Sequence, residues 1–489
     1  MSVRKLFSLI VLVGSIYLPA ATRGMLRIGI GSFPGSLNPV YATDEVSQGI
    51  CNKVYQSLFY FDPSGKIRNE LVRSAALDET KLEATVELKQ GERFSNGREV
   101  TSDDVLATIR LLKNPAFRFP YQSDLAFIDR FEKIGLHRFT VCFRERFAPW
   151  KNYLTFKILS AAEIQTADPA RFKVQYPLGS GAYRIRKIEE PARIWLEANP
   201  LSSQTVKFAR IEYSVLLDPR QAPLKLISGE TDAAEVDPQD AQIFLGNPKW
   251  QDHFRLAQYK KFGFTYLAFN LKNPEIDLNL RQIVYNQVMM GNFLDVFLNH
   301  SGETVHSPFL LFNDEMKPVR FGTSTLLERR RLTILTNSES RLRKNLVLFL
   351  IEELRPLHIE LLPVFVEYHT FLKYLKEGRY DLAVSGFVLD IDWNLRDILA
   401  GGSFFNYAQY TNPIMDRLLD DGLREMDERK RKCIYRQAHF RWREDLPFIP
   451  LFTLYYYMGL SKRLTTPRLG CPVVGSTGDF FYHLEEWGD

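Results

Sequence analysis

The sequence predicts an α/β protein of more than one domain. Three observations carry this expectation. From Arg331 onward, short apolar strands alternate with amphipathic helices, the pattern of parallel β-α-β units. Earlier segments alternate apolar and polar residues like half-buried strands, as Leu82, Ala84, Val86 and Leu88 do against Glu83, Thr85 and Glu87. The chain has 489 residues, too many for one hydrophobic core, so two or three domains are expected.

In chain order, Arg4 and Lys5 precede an apolar run from Leu6 to Leu18 and the small-residue stretch Pro19-Ala20-Ala21-Thr22. This reads as a secretory signal peptide over 1–22, too short in its apolar part to span a bilayer. No cysteine lies near the expected cleavage region, so a periplasmic protein without a lipid anchor is expected. Met25 to Ile30 reads as a strand. Val46, Ile50, Val54 and Leu58 recur every four residues as one helix face. Thr101-Ser-Asp-Asp104 caps a helix whose buried stripe is Val105, Ile109 and Leu112. Neighbouring Asp103 and Asp104 point about 100° apart on a helix, so capping explains them better than catalysis. Pro177-Leu-Gly-Ser-Gly-Ala-Tyr183 holds a Gly-x-Gly, but a strand follows it rather than a helix, which excludes a dinucleotide loop.

Phe262 to Leu271 is a β-rich aromatic run, and Leu280 to Leu298 reads as one long helix. Then come strand Leu332 to Thr336, helix Ser338 to Leu354, strand Ile359 to Val366, helix Tyr368 to Lys376 and strand Tyr380 to Val384. Gly378 stands where a helix C-terminal glycine belongs. Beyond Ser385-Gly386 lie Asp390, Asp392 and Asp397 around Trp393. Acids just past the carboxyl end of such a strand sit where α/β proteins bind ligands; a solvated acidic loop is the alternative. Asn412-Pro413 opens a helix, a charged helix runs from about Asp427 to Glu444, Leu446-Pro-Phe-Ile-Pro-Leu451 ends it, and Leu454 to Leu460 is a Tyr-rich strand.

A net charge of +5, dispersed along the chain, gives no case for nucleic acid. The eight histidines form no His-Glu-x-x-His, and no Cys-x-x-Cys, Gly-x-Ser-x-Gly or Walker sequence occurs, so no catalytic, metal or cofactor constellation is expected. Cys51, Cys142, Cys433 and Cys471 admit three disulfide connectivities or free thiols.

Seven blocks, in order, resemble the extracytoplasmic solute-binding proteins of peptide and nickel ABC importers. They are Ser36-Leu-Asn-Pro39, Gly91 to Val105, Pro177 to Tyr183, Ser228-Gly-Glu-Thr-Asp232, Phe269-Asn270 with Arg281-Gln282, Gly378-Arg-Tyr-Asp-Leu with Gly386-Phe387 and Asp390, and Leu446-Pro-Phe-Ile-Pro450. The resemblance covers about Leu26 to Leu460. It implies two lobes that close on a ligand buried between them, with an extra domain inserted in the first. The expected divisions are 23–46, 176–262 and 456–489 for the first lobe, 47–175 for the inserted domain and 263–455 for the second lobe. Strands near 260–265 and 455–460 would form the hinge.

The resemblance also implies that an extended peptide pairs with the chain near Gly386, Phe387 and Val388, with its α-ammonium on Asp390 and Trp393 close by. Phe387 stands where the family has Trp, and no residue is assigned to the ligand's carboxylate. The implied function is the periplasmic peptide-binding subunit of an ABC importer, a monomer with no enzymatic activity, serving permease and ATPase partners. A different solute on the same fold, such as a metal chelate or an oligosaccharide, is the first alternative. A secreted glycan hydrolase using Asp390 and Asp392 as paired carboxylates is the second.

Overall fold

The computed structural model describes residues 24–62, 65–119, 125–247, 251–288, 290–322, 328–466, 473–474 and 479–488. The leader at 1–22 and Cys471 lie outside them. Cys51, Cys142 and Cys433 are free thiols.

The helix punctuation in the sequence works as expected. Thr101 and Asp104 form a reciprocal capping box on Ser102–Lys113. Asn412 accepts from the backbone of Ile414 and Met415, with Pro413 at the first helical position. Glu367 caps Tyr368–Glu377, and Gly378 ends it at φ 66°, a left-handed conformation that glycine adopts without strain.

Thirteen described strands join one sheet. Its main path runs Ile359–Val366, Arg330–Asn337, Leu382–Val388, Gly263–Phe269, Phe448–Ser461, Ala233–Val236, Met25–Ile30, Arg210–Val215, Arg193–Ala198 and Tyr183–Glu189. The expected β-α-β-α-β unit is present: Arg330–Asn337 pairs in parallel with both Ile359–Val366 and Leu382–Val388. Separately, Val72–Asp78, Glu83–Leu88, Arg138–Phe143 and Ile128–Gly135 make a four-stranded antiparallel sheet.

Apolar burial divides the molecule in two. One core gathers Leu26 to Tyr259 with Met458 to Trp487, and a smaller cluster around Leu216, Phe244 and Tyr457 covers the other face of that sheet. Two further cores, one holding Phe264, Phe371, Tyr435 and Trp442, the other Leu267, Ile334, Leu350 and Phe452, sandwich the second half of the sheet. Among the described residues only Phe254–Lys261 with Gly263–Phe269, and the long strand Phe448–Ser461, carry the sheet from one body to the other. Phe448–Ser461 pairs with Gly263–Phe269 through Phe448 to Phe452 and with Phe254–Lys261 through Tyr455 to Ser461.

Three elements differ from the sequence reading. The stretch Leu280 to Leu298 is two helices, Leu278–Gln287 and Met290–Leu298, the first ending at Val288 in an extended conformation. The strand expected from Leu454 starts at Phe448 and contains Pro450, tolerated because the register slips there and Leu451 bulges out of the ladder. The strand expected to stop at Val384 runs to Val388, since the Gly263–Phe269 ladder continues to Gly263 opposite Val388.

His439 is buried against Trp442, with Nδ1 2.9 Å from the Ser307 hydroxyl. Burial, helped by the Arg443 charge, pushes its pKa down to about 4. The unfolded chain protonates near the ordinary value of about 6.5. Between those values the unfolded state binds a proton that the folded state refuses, so stability falls as pH drops from about 6.5 to about 4. Urea midpoints measured at pH 7.5 and 5 are expected to fall more for the wild type than for His439→Asn.

Candidate functional site

The strand Leu382–Val388 has two unlike edges. One pairs along its whole length with Gly263–Phe269, from Leu382 opposite Phe269 to Val388 opposite Gly263. The approach is close: a Cβ on Gly263 would lie 2.1 Å from the Phe387 carbonyl, so only glycine fits. The other edge pairs with Arg330–Asn337 only at Leu382 and Ala383. Beyond that, no described strand covers it. The Thr336 hydroxyl donates to the Val384 carbonyl at 3.0 Å, which fixes that carbonyl on the open side. Leu389 donates to the Phe262 carbonyl at 2.6 Å on the opposite side. Backbone groups alternate with period two, so those of Gly386 and Val388 face the open edge. This edge lies at the carboxyl ends of the parallel strands, where helix Arg341–Leu354 begins.

Arg343 stands in the first turn of that helix. Its Nη1 donates to Asn337 Oδ1 at 3.0 Å, and its Nη2 sits 3.3 Å from where a Cβ on Gly386 would be. It forms no salt bridge among the described residues. Burial holds its pKa below the usual guanidinium value. A cation in a helix's first turn also opposes the helix dipole. Every local term therefore asks for an anion beside Arg343. In the first body, Lys261 is already matched, at 2.6 Å from Glu45, with its ammonium 4.0 Å from the Tyr456 ring centroid.

The residues singled out in the sequence occupy different positions. Asp390 is exposed in the loop after the strand. Val388 is 45% exposed. Phe387 is half-buried and stacks on Tyr266 (4.6 Å, 6°) and Tyr407 (6.2 Å, 7°), with Phe405 at 6.4 Å. Trp393 stacks on Phe312 at 6.3 Å and lies under the Arg431 guanidinium. Its indole N–H is buried without a hydrogen bond.

Asp392 is held by Arg431 through Nη1 at 3.0 Å and Nη2 at 2.6 Å. It also accepts from Asn394 N at 2.7 Å and Asn152 Nδ2 at 3.3 Å. Burial opposes the Arg431 charge, but Asp392 outweighs it and raises that pKa. Asp392 is thus occupied by its own protein, and the paired-carboxylate reading loses its second acid.

Two features escaped the sequence reading. Arg343 is one; its signal was a basic residue in the first turn of a predicted helix, where acids are the favoured charges. Tyr266 is the other. It is 2% exposed, and its hydroxyl has Ser385 beside it across the strand pair but no well-formed hydrogen bond. No local pattern announces that.

Residues 66–284 match the bacterial extracellular solute-binding proteins, family 5 Middle. Over those residues the chain is similar to that family. It is 22% identical over 487 residues to the oligopeptide-binding protein AppA of Bacillus subtilis, covering 90% of this chain and 88% of that one. The AppA structure in complex with a nonapeptide superposes with a TM-score of 0.78 at 21% identity, over 95% of this chain and 98% of AppA. NikZ from Campylobacter jejuni in complex with Ni(L-His) gives 0.81 at 20% identity, over 95% of this chain and 99% of NikZ. These likenesses establish the two-lobed fold. No helix among the described residues is long and apolar enough to cross a membrane.

Because Arg343 is desolvated without a carboxylate, its removal relieves a cost in the empty protein. Arg343→Met is expected to fold and to unfold thermally at or above the wild-type temperature without ligand. A drop of several degrees would show that its charge is already satisfied.

Proposed function

We propose that this chain is the peptide-binding subunit of an ABC importer, exported through a signal peptide over 1–22 into the periplasm without a lipid anchor and acting as a monomer without enzymatic activity. One observation carries the reading: an unpaired strand edge at Gly386 and Val388 lies between an arginine without an acid and an exposed aspartate. An extended peptide can add to that edge by backbone hydrogen bonds that read no side chain. Its α-ammonium meets Asp390 and its carboxylate meets Arg343. Phe387, Phe405 and Tyr407 offer an aromatic wall alongside. The ligand lies between a first lobe of 23–46, 176–262 and 456–489, carrying the inserted domain 47–175, and a second lobe of 263–455.

A likeness to a nickel–histidine binder gives the second reading, a metal chelate, one specific point of support: an amino-acid chelate also brings a carboxylate for Arg343. Among the described residues no group of three His, Cys, Asp or Glu side chains is placed to hold the metal itself.

The test is the unfolding midpoint during titration with di- to hexapeptides and with nickel–histidine, since a ligand that binds the folded state raises it. Removing the buried partner of a ligand charge costs about 2–5 kcal/mol, which is roughly 30- to several-thousand-fold in affinity. Arg343→Met is expected to lose that much for free peptides and little for C-terminally amidated ones. Asp390→Ala loses less, about 10- to 150-fold, because Asp390 is exposed. N-terminal acetylation should abolish the difference between Asp390→Ala and wild type. Equal wild-type affinity for free, acetylated and amidated peptides would remove both anchors.

A further inference from the structure

The two bodies meet at a second place besides the crossing strands. Residues 145–153 belong to the first body, where Trp150 and Leu154 are buried in its core. Residues 391–394 and 423–431 belong to the second, beside Leu395, Leu419 and Tyr435. Four hydrogen-bonded contacts join them. Ala148 N donates to the Leu423 carbonyl at 2.7 Å. Asn152 Nδ2 donates to Asp392 Oδ2 at 3.3 Å. Asn394 Nδ2 donates to the Tyr153 hydroxyl at 3.3 Å. Arg424 Nε pairs with Glu145 Oε2 at 2.6 Å. Ile391 packs so close to Gly65 that a Cβ there would lie 2.4 Å from its Cγ2.

We propose that these contacts form a latch that holds the lobes together before any ligand arrives, with Asp392 and Arg431 as its positioning pair. The reasoning is one of satisfied charge. The Asp392–Arg431 pair is 12% and 10% exposed and complete within its own lobe, with two parallel hydrogen bonds, so it needs nothing from a ligand. Arg431 is fixed further by donating to the Gly422 carbonyl at 2.9 Å. The carboxylate keeps lone-pair capacity, and Asn152 from the other lobe uses it. None of the four contacts draws on Gly386, Val388, Arg343 or Asp390, so a ligand on the strand edge and the latch do not compete. The latch acts on affinity through closure: when the closed form is rarer, binding has to supply its formation. Each exposed or half-exposed contact contributes about threefold or less to the closed-to-open ratio. Losing three of them lowers that ratio by up to about 30-fold.

The test uses the triple variant Glu145→Ala, Asn152→Ala, Tyr153→Phe, which leaves the proposed ligand groups untouched and keeps the Tyr153 ring in its packing against Phe127 and Phe147. Small-angle scattering without ligand is expected to give a larger radius of gyration for the variant than for wild type, with unchanged circular dichroism. Calorimetric titration with the dipeptide Ala-Phe is expected to show affinity weakened by up to about 30-fold, with faster release. Identical ligand-free scattering for the two proteins overturns the latch. If neither binds Ala-Phe, the peptide reading suffers, while the scattering still decides the latch. If the triple variant misfolds, the charge reversals Glu145→Arg and Arg424→Glu decide instead. Each alone should open the protein and the pair together should close it again; singles that scatter like wild type refute the proposal.

Discussion

The strand Phe448–Ser461 is the constraint on which the rest of the structure depends. Its 14 residues span about 45 Å at a strand's rise, long enough to serve both bodies. Its first part is hydrogen-bonded to Gly263–Phe269 and its last part to Phe254–Lys261. Within the first part the ladder is irregular, and between the two parts Thr453 and Leu454 pair with Gly302–Thr304. Pro450 has no N–H to give, Leu451 is squeezed out of register, and the Leu451 carbonyl is taken instead by Val305 N at 3.0 Å. At the companion crossing the Phe262 carbonyl accepts from Leu389 N and Gly263 pairs with Val388. Two crossing backbones therefore carry the sheet from one body to the other. The same ladder holds the candidate site, because Gly263 pairs with Val388.

The parts of this architecture that could be read in the sequence were those with a local cause. Caps at Thr101, Asn412 and Gly378 follow from the chemistry of one or two side chains. The parallel unit from Arg330 to Val388 follows from apolar periodicity. What could not be read was decided by partners far along the chain. Val384 closes an apolar run, yet the strand continues four residues further because Gly263 and Phe264 are there to pair with it. Pro450 argued for an end to structure, and a bulge absorbed it. Leu280 to Leu298 keeps an apolar pattern throughout, but the helix ends at Val288, which no capping residue announces.

The acidic loop shows how folding sorts similar side chains into different work. Asp390 and Asp392 are two residues apart and alike in sequence context. Asp392 is drawn onto Arg431, a residue 39 positions away on a helix, whose guanidinium lies over the Trp393 and Tyr435 rings. Buried and bidentate, that pair is too costly to break for a role in binding. Asp390 remains at the exposed turn beyond the strand. Sequence spacing placed both acids near the ligand crevice. Only the position of Arg431 separates the buried acid that stabilises the loop from the exposed one.

Arg343 is the converse case. A protein selected only for stability would place an acid or an N-cap partner in the first turn of Arg341–Leu354, and Ser340 already supplies the cap. Instead a half-buried guanidinium sits there with one amide oxygen, Asn337 Oδ1, for company. It cannot escape by losing its proton, since arginine stays charged in proteins. It cannot relax easily either, because Gly386 and the strand beside it close one side. The cost is therefore built into the empty protein and is recovered when an anion arrives. Glycine at 386 is part of the same arrangement: with no Cβ it leaves the guanidinium room beside the open strand edge, so charge and backbone groups can act on one ligand together.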